Sequence, residues 1–394
     1  MRNVQSINCF YQQVLLVGTL ALVGVGCGGG GSEKEITPVT PVTPTTPSTA
    51  SGTLDDQFTL WLTDLSNKVI LPNYQTLETK ATQFSDSSKA FCQLDIAKAS
   101  DLTELRVAWQ ELNGAWQTIQ WLKIGPILQY NRNFRIQLWP DSRGYVARDI
   151  ENFLLTQTTL DVNAISKSSV SGQGVPALEY LLYPATNQDS LLSASNKTKR
   201  CEVMVAISDN VTTISGEVLE AWQTTGGNYI AQVIGGNGEF TGVSDAVEEI
   251  VTNWLEQVER VKDEKMLEPF ALTAPGSPSM AEFYRSEQSL VSIKANVLSF
   301  QQIYSAGGGH SFEKILVEFL GQQTIATQMN DSITAAIEAT EDLSGLYAEL
   351  LSSDEGRAIL ENNIQKLREL RDILSIDFIQ ATDINIGFNS NDGD

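Results

Sequence analysis

Residues 243–261, VSDAVEEIVTNWLEQVERV, show most clearly the periodicity from which the fold class is predicted. Their large apolar side chains recur at intervals of three or four positions: Val247, Ile250, Trp254, Val258 and Val261. This spacing places the five side chains on one face of a helix, whereas a half-buried strand would need an apolar residue at every second position. The stretch therefore predicts an amphipathic helix that buries one face.

The same helical period recurs along most of the chain. Three further sets share it: Trp109, Leu112, Trp116 and Ile119; Ile333 and Ile337; and Leu360, Ile364, Leu367, Leu370 and Leu374. Residues 54–91 predict a long first helix in which Pro72 makes a kink or a break. Because sustained period-two alternation is missing, strands are minor at best. The predicted fold class is all-α, with up-and-down helices.

Glycine clusters predict a division into two domains. They lie at residues 226–227 and 235–238, where they would interrupt helices. We expect an N-terminal helical bundle over residues 54–235 and a C-terminal helical bundle over residues 239–394, each long enough for its own core. In the second bundle, Ser311 and Ser352 each predict a helix N-terminus.

The N-terminal residues predict export and anchoring. An apolar run over residues 14–26 ends at Cys27, as in a lipoprotein signal peptide over residues 1–27; plain secretion with an incidental Cys27 is the alternative. The Gly-, Thr- and Pro-rich residues 28–53 predict a tether that holds the folded part away from a membrane. Gly28, where an aspartate would retain the protein in the inner membrane, favours the outer membrane. We expect a lipid-anchored protein on the periplasmic face or surface of a bacterial cell envelope.

Two cysteines remain for the folded part, because Cys9 lies in the signal peptide and Cys27 would carry the lipid. Thiols outside the cytoplasm most simply pair, so the sequence predicts one disulfide between Cys92 and Cys201. The alternative is two buried free thiols.

Charge and histidine content exclude several classes of function. The 394-residue chain has a net charge of −22 and a single His. Nucleic-acid binding through the overall field would need clustered Lys and Arg, so no nucleic-acid partner is expected. One imidazole also excludes every site that uses two or more of them, including the HExxH zinc proteases.

Two segments carry the candidate functional side chains. Residues 121–141 are aromatic and basic, so Arg135 and Arg143 could bind an anion near Trp139; a loop tied down by salt bridges is the plainer alternative. Glu179 lies among leucines and needs a partner or a raised pKa, which makes it the best single candidate for a functional carboxylate. Its alternative is a structural ion pair with an arginine, or a position on the polar side of its helix.

His310 is the remaining candidate. It lies three residues before Glu313 at a predicted helix start, a spacing that can hold a metal, but such pairs are common by chance.

Several separated segments of this chain resemble the imelysin-like family. They are ILPNY (70–74), AW (108–109) with Trp116, GP (125–126), IQLWPD (136–141), QGVPALEYLL (173–182), FYRS (283–286), SL (289–290), IKAN (293–296) and GFNSNDGD (387–394). The resemblance covers about residues 60–394 and implies two helical-bundle domains. It also implies a secreted or lipid-anchored bacterial protein linked to iron uptake. The family's G-x-H-x-x-E signature, the basis for its peptidase label, is matched by Gly174 and Glu179, but Pro176 stands where the histidine belongs.

The resemblance and the residues together predict a non-enzymatic, envelope-anchored binding protein for iron or another metal. We expect the site to contain Glu179, Arg135, Trp139, Asp141, Arg285 and Ser286. Any metal would be held by oxygens, favouring iron or calcium, with Glu179 as candidate ligand. Partners would be the membrane, through the lipid on Cys27, and iron-uptake or other envelope proteins. The alternatives are a metallopeptidase that pairs Glu179 with His310, and a purely structural surface lipoprotein.

Overall fold

The computed structural model describes residues 52–156, 158–186 and 190–386, and the regular elements of these residues are all helical. This confirms the all-α fold class. The α-helices are α1 (Leu54–Leu65), α2 (Leu71–Cys92), α3 (Ala99–Ile119), α4 (Arg132–Ile136), α5 (Tyr145–Leu155), α6 (Val162–Ser166), α7 (Gly174–Leu182), α8 (Lys197–Trp222), α9 (Tyr229–Gly235), α10 (Val243–Arg260), α11 (Glu268–Phe270), α12 (Ser289–Ser305), α13 (Phe312–Lys314), α14 (Gln323–Glu341), α15 (Tyr347–Ser352), α16 (Asp354–Asp372) and α17 (Ile379–Thr382).

Helix α10 buries the face that its sequence predicts. Val247, Ile250, Trp254 and Val258 are fully buried, as is Val261 just beyond its end. The chain then widens into a π-helical turn over Val261–Leu267, which continues directly into α11. Single π-helical turns inside longer helices are frequent at functional sites.

The predicted long first helix is present. Its hydrogen-bonding pattern changes just before Pro72, but the helix does not end there. Helices α1 and α2 are joined by a π-helical turn over Ser66–Ile70, so the chain stays helical from Leu54 to Cys92. Pro72 lies in the first turn of α2 and has no N–H to offer, so the wider turn before it removes the clash that a proline makes inside a regular helix.

One of the two predicted helix starts is correct and the other is displaced by one residue. The hydroxyl of Ser311 accepts a hydrogen bond from the backbone N–H of Lys314 and caps α13. The cap of α16 is Ser353, which accepts from Gly356, whereas Ser352 is the last residue of α15. Ser352 and Ser353 are adjacent, and either could cap a helix as judged from the sequence alone. Because Ser352 is the last residue of the short helix α15, Ser353 becomes the cap of α16.

The core runs through both halves of the described chain. One cluster of buried apolar side chains extends from Phe58 to Ile384. Helix α3 packs against both α2 and α12, and the indole N–H of Trp61 donates to the carbonyl of Ile303. Helix α9 occupies the space between the two glycine clusters. The division into bundles at residues 235 and 239 stays a prediction.

The predicted disulfide is present. Cys92, at the C-terminal end of α2, is bonded to Cys201 near the start of α8. Helices α2 and α8 also pack along their lengths, so the bridge fastens one end of this pair. The predicted signal peptide, Cys27 and nearly all of the predicted tether lie outside the described residues. Within the described part of the chain, no helix has the length and apolarity to cross a membrane.

Candidate functional site

A cavity of about 360 Å³ opens beside the N-terminal half of α7. We call it the motif pocket and define it by six of its lining residues: Trp139, Asp141, Pro176, Glu179, Phe283 and Arg285. These six residues come from three segments, namely α7, the loop that leads into α5, and the loop that precedes α12. Both loops come from stretches that carry the family resemblance.

The start of α7 is fixed by a close approach of two backbones. Gly174 has φ +74°, and a side chain at this position would collide with the backbone carbonyl of Ile136. Only glycine tolerates this combination without strain. Pro176 follows in the first turn, where the backbone N–H groups have no partner inside the helix and a proline costs little. Glu179 lies one turn later, on the same side of α7 as Pro176.

Glu179 is buried and only half satisfied. Its Oε1 accepts two hydrogen bonds from Ser286, at 2.9 Å from the backbone nitrogen and at 2.7 Å from the hydroxyl. No described residue donates a hydrogen bond to its Oε2, and the side chain lines the motif pocket. Burial raises the pKa of Glu179 to about 7, although the two Ser286 bonds and the charge of Arg285 oppose this. Glu179 is therefore a carboxyl that gains or loses its proton near neutral pH.

Four of the predicted site residues line the motif pocket together. They are Trp139, Asp141, Glu179 and Arg285, and Ser286 stands behind Glu179 as its hydrogen-bond donor. Asp141 is committed locally: its two oxygens accept from the backbone N–H groups of Tyr145 and Val146 at the start of α5. The guanidinium of Arg285 lies over the ring of Tyr284, at 4.6 Å from its centroid.

Arg135 does not line the motif pocket, contrary to expectation. It points toward α8, where it donates to the side chains of Gln173 and Asn210 at 3.0 Å each. Arg135 and Trp139 are only four residues apart in the sequence. Arg135 lies on α4, which ends before Trp139, so the two side chains contact different neighbours. Arg143, which could have joined it, donates to the hydroxyl of Tyr145.

A buried lysine lies next to the pocket and was missed by the sequence analysis. Lys265, in the π-helical turn, is 1% exposed, and its ammonium group donates to Gln117, Glu282 and Asn296. Burial lowers the pKa of Lys265, and the Glu282 carboxylate opposes this shift. Its position held a signal: Val258, Val261 and Lys265 follow the i, i+3, i+7 pattern of a buried face.

This lysine is the centre of a polar network that supports the pocket wall. Glu282 also accepts a hydrogen bond from Gln137, whose oxygen accepts from the indole of Trp116 at 2.6 Å. The Lys265 ammonium lies 5.9 Å from the ring centroid of Trp139. Because Glu282 directly precedes the segment with Phe283 and Arg285, the network holds both loops of the motif pocket in place.

The motif pocket does not suit a resident metal ion. Among the described residues, no three His, Cys, Asp or Glu side chains are grouped to hold one. Both carboxylate oxygens of Asp141 accept hydrogen bonds from backbone N–H groups, and one oxygen of Glu179 accepts from Ser286. The side chain of Pro176 has no atom that can bind a metal. Protein sites for zinc, calcium or iron draw on several converging ligands.

His310 lies in a different environment from Glu179. Its backbone N–H donates to Asp64 at 2.6 Å, and partial burial, together with the nearby ammonium of Lys314, lowers the pKa of the imidazole. Its Nε2 is buried without a hydrogen-bond partner among the described residues. The neighbouring cavity, of about 340 Å³, lies between α12 and α14 and contains none of the predicted site residues.

The family model named "Peptidase_M75: Imelysin" matches residues 70–374 of this all-helical chain. This chain belongs to the imelysin family. The match contains every residue that defines the motif pocket.

Two solved structures share the fold. An imelysin-like protein from Psychrobacter arcticum 273-4 is 20% identical, with a TM-score of 0.71 over 86% of this chain and 99% of its own. A protein from Parabacteroides distasonis ATCC 8503, named iron-regulated protein A precursor, is 16% identical, with a TM-score of 0.69 over 85% and 97%. No curated protein sequence matches the chain.

Proposed function

We propose that this chain is a lipid-anchored binding protein of the bacterial cell envelope with an iron-related role, and that the motif pocket holds its ligand without catalysing a reaction. The observation that carries the proposal is Glu179. It is a buried carboxyl with one oxygen committed to Ser286 and the other left to the pocket.

The substitution at the signature position supports a binding role over a peptidase role. A zinc peptidase needs three protein ligands and an open position for water. Pro176 removes the imidazole that the family signature would supply, and Asp141 is used to cap α5. What remains is a carboxyl in an apolar recess, an arrangement suited to orienting a small ligand.

The fold neighbour from Parabacteroides distasonis, with its iron-regulated name, supports an iron-related role. The signal-like run, Cys27 and the tether support anchoring in the envelope, with the outer membrane favoured. Such an anchor would place the pocket where envelope proteins of an uptake system can reach it.

Native mass spectrometry tests the binding role. The protein is released from its own membranes and its mass is compared with that of the Glu179→Gln variant prepared in the same way. We expect a non-covalent small-molecule adduct on the natural protein that Glu179→Gln loses. An adduct-free natural protein, or an adduct that Glu179→Gln retains, would contradict the proposed site.

Cleavage of a denatured protein substrate tests the non-catalytic part of the proposal. We expect no cleavage with or without a chelator. Cleavage that EDTA abolishes and His310→Ala removes would restore the peptidase alternative.

Labelling with a palmitate analogue tests the anchor. We expect incorporation into the natural chain and none into Cys27→Ser. If the natural chain incorporates no more label than Cys27→Ser, Cys27 carries no lipid. Plain secretion would then explain the apolar N-terminal run.

A further inference from the structure

The walls of the motif pocket are mostly apolar and aromatic. Trp139, Phe283 and Tyr284 contribute rings, and Pro176 and Met280 contribute aliphatic surface. Burying an apolar ligand surface against such walls is favourable by about 25 cal/mol per Å². The ligand therefore has an apolar body, and a bare ion would leave these walls without a partner.

The charges around the pocket favour a cationic group on that body. Three carboxyls line it, from Glu179, Asp141 and Glu268, against one guanidinium, from Arg285. Arg285 lies over the rings of Tyr180 and Tyr284, at 5.3 and 4.6 Å from their centroids, so its guanidinium has aromatic partners of its own. Glu282, behind the wall, is paired with the ammonium of Lys265 at 2.9 Å.

The free oxygen of Glu179 gives the cation a defined partner. Glu179 is 4% exposed, and no described residue donates a hydrogen bond to its Oε2, so this oxygen faces the motif pocket. A ligand N–H that reaches Oε2 would form a charge-assisted hydrogen bond in surroundings of low polarity. The aromatic walls add cation–π attraction for an ammonium group.

We propose that the motif pocket binds an organic ammonium ligand, a primary amine on an apolar body, with its N–H groups on Glu179 Oε2. This inference rests on the proposed binding function and names the chemical class of its ligand. The acid–base behaviour of Glu179 agrees with it: since the carboxyl has a pKa of about 7, an ammonium that binds the ionised form releases a proton below that pH.

Isothermal titration calorimetry with three probes of one shape tests this inference. The probes are hexylammonium chloride, 1-hexanol and sodium hexanoate, titrated into the full-length protein at pH 8. We expect hexylammonium to bind at least about tenfold more tightly than hexanol, and hexanoate to bind weakest. The tighter binding of hexanol or hexanoate would overturn the inference.

Two variants locate the effect. Glu179→Gln keeps the size and the oxygen that Ser286 holds but removes the charge, so we expect about a tenfold loss for hexylammonium and no loss for hexanol. Glu361→Gln, an exposed residue of α16, makes the same charge change and is expected to bind as the natural protein does. Equal losses in both variants, or no loss in Glu179→Gln, would overturn the inference.

A pH series provides a readout that does not depend on the folding of a variant. Affinity of the natural protein for hexylammonium should rise about tenfold from pH 6 to pH 8 as Glu179 ionises, and proton release should appear at pH 6. A flat profile would contradict the assigned partner.

A parallel titration with Ca²⁺ and Fe³⁺ separates this inference from the function on which it rests. We expect no Glu179-dependent binding of either ion at micromolar concentration. If an ion binds through Glu179 and hexylammonium does not, or if Glu179-dependent adducts appear in native mass spectrometry without any amine binding, the inference fails while the binding function stands.

Discussion

Glu179 and Glu282 are two buried carboxyls that border the same loop, and their surroundings differ. Glu282 is 2% exposed and bonded to the ammonium of Lys265 at 2.9 Å and to the amide of Gln137. Glu179 is nearly as buried, yet its bonds come from Ser286 alone and leave one oxygen to the motif pocket.

Under the proposed function, this difference separates a structural carboxyl, Glu282, from a ligand-binding one, Glu179. A buried charge with a full set of partners stabilises one arrangement of its neighbours, and loss of a partner leaves an uncompensated charge. A buried carboxyl with one oxygen that accepts no hydrogen bond from the protein can still accept one from a ligand. The Glu282 network thus holds the loop in place, whereas Glu179 leaves one carboxylate oxygen facing the motif pocket, where we propose that a ligand binds.

The largest expected effect comes from removing the counter-charge of Glu282. Lys265→Met should lower the free energy of unfolding by about 3–5 kcal/mol, because Glu282 then stays buried without its ammonium partner. Urea unfolding followed by circular dichroism measures the change. The double variant Lys265→Met, Glu282→Gln should recover part of the loss, and a loss below about 1 kcal/mol in the single variant would show that the pair is not structural.

The pH dependence of stability should come from Glu179. Its pKa is raised from 4.5 to about 7 in the folded protein, so its stabilising contribution is complete below about pH 4.5 and is lost as the pH rises through 7. Relative to Glu179→Gln, the natural protein should lose about 3 kcal/mol between pH 4.5 and pH 8. Urea unfolding of both proteins across this range measures the difference, and parallel curves would contradict the raised pKa.

Restoring the signature histidine should convert the binding pocket toward a metal site. Pro176→His places an imidazole one helical turn before Glu179, so we expect a gain of at least about tenfold in Zn²⁺ affinity over the natural protein. Calorimetry measures the gain, and the double variant Pro176→His, Glu179→Gln should lose it. An unchanged affinity would show that the two positions do not face the same space.

The smallest effect is expected at Ser286. Ser286→Ala removes one of the two donors to Glu179 and leaves the backbone N–H, so it should cost about 1 kcal/mol at pH 8 and raise the pKa of Glu179 further. Ser332→Ala, another buried serine whose hydroxyl bonds only a backbone carbonyl of its own helix, is the control. If the cost at Ser286 is the same at pH 5 and pH 8, the hydroxyl does not act on the ionised carboxyl.

The sequence was sufficient to predict the all-α fold, and it identified Glu179 as a carboxyl in apolar surroundings. Helical periodicity gave α10 and its buried face, and the isolation of Glu179 among leucines marked it as the carboxyl that needed an explanation. Both inferences depend only on residues that are close together in the sequence, so one sequence is enough to make them. The start of α16 was displaced because two adjacent serines offer the same cap.

The polar network could not be predicted with the same ease. Lys265 lies in the charged run KDEK, which is typical of a solvated helix face, and the π-helical turn places it inside. Its partners, Gln117, Glu282 and Asn296, come from three distant segments, and only tertiary packing brings them together. Arg135 failed as a pocket residue for the same reason, since the direction of a side chain on a short helix is decided by what that helix packs against.

The titration of Glu179 itself tests the central claim most directly. Carbon-13 labelling of glutamate carboxyls, with Glu179→Gln to assign the resonance, reports its ionisation by NMR between pH 4 and pH 9. We expect one resonance with a midpoint near pH 7 that is missing from Glu179→Gln and whose midpoint moves to lower pH when hexylammonium is added. A midpoint near 4.5 for the Glu179 resonance, unaffected by hexylammonium, would contradict it.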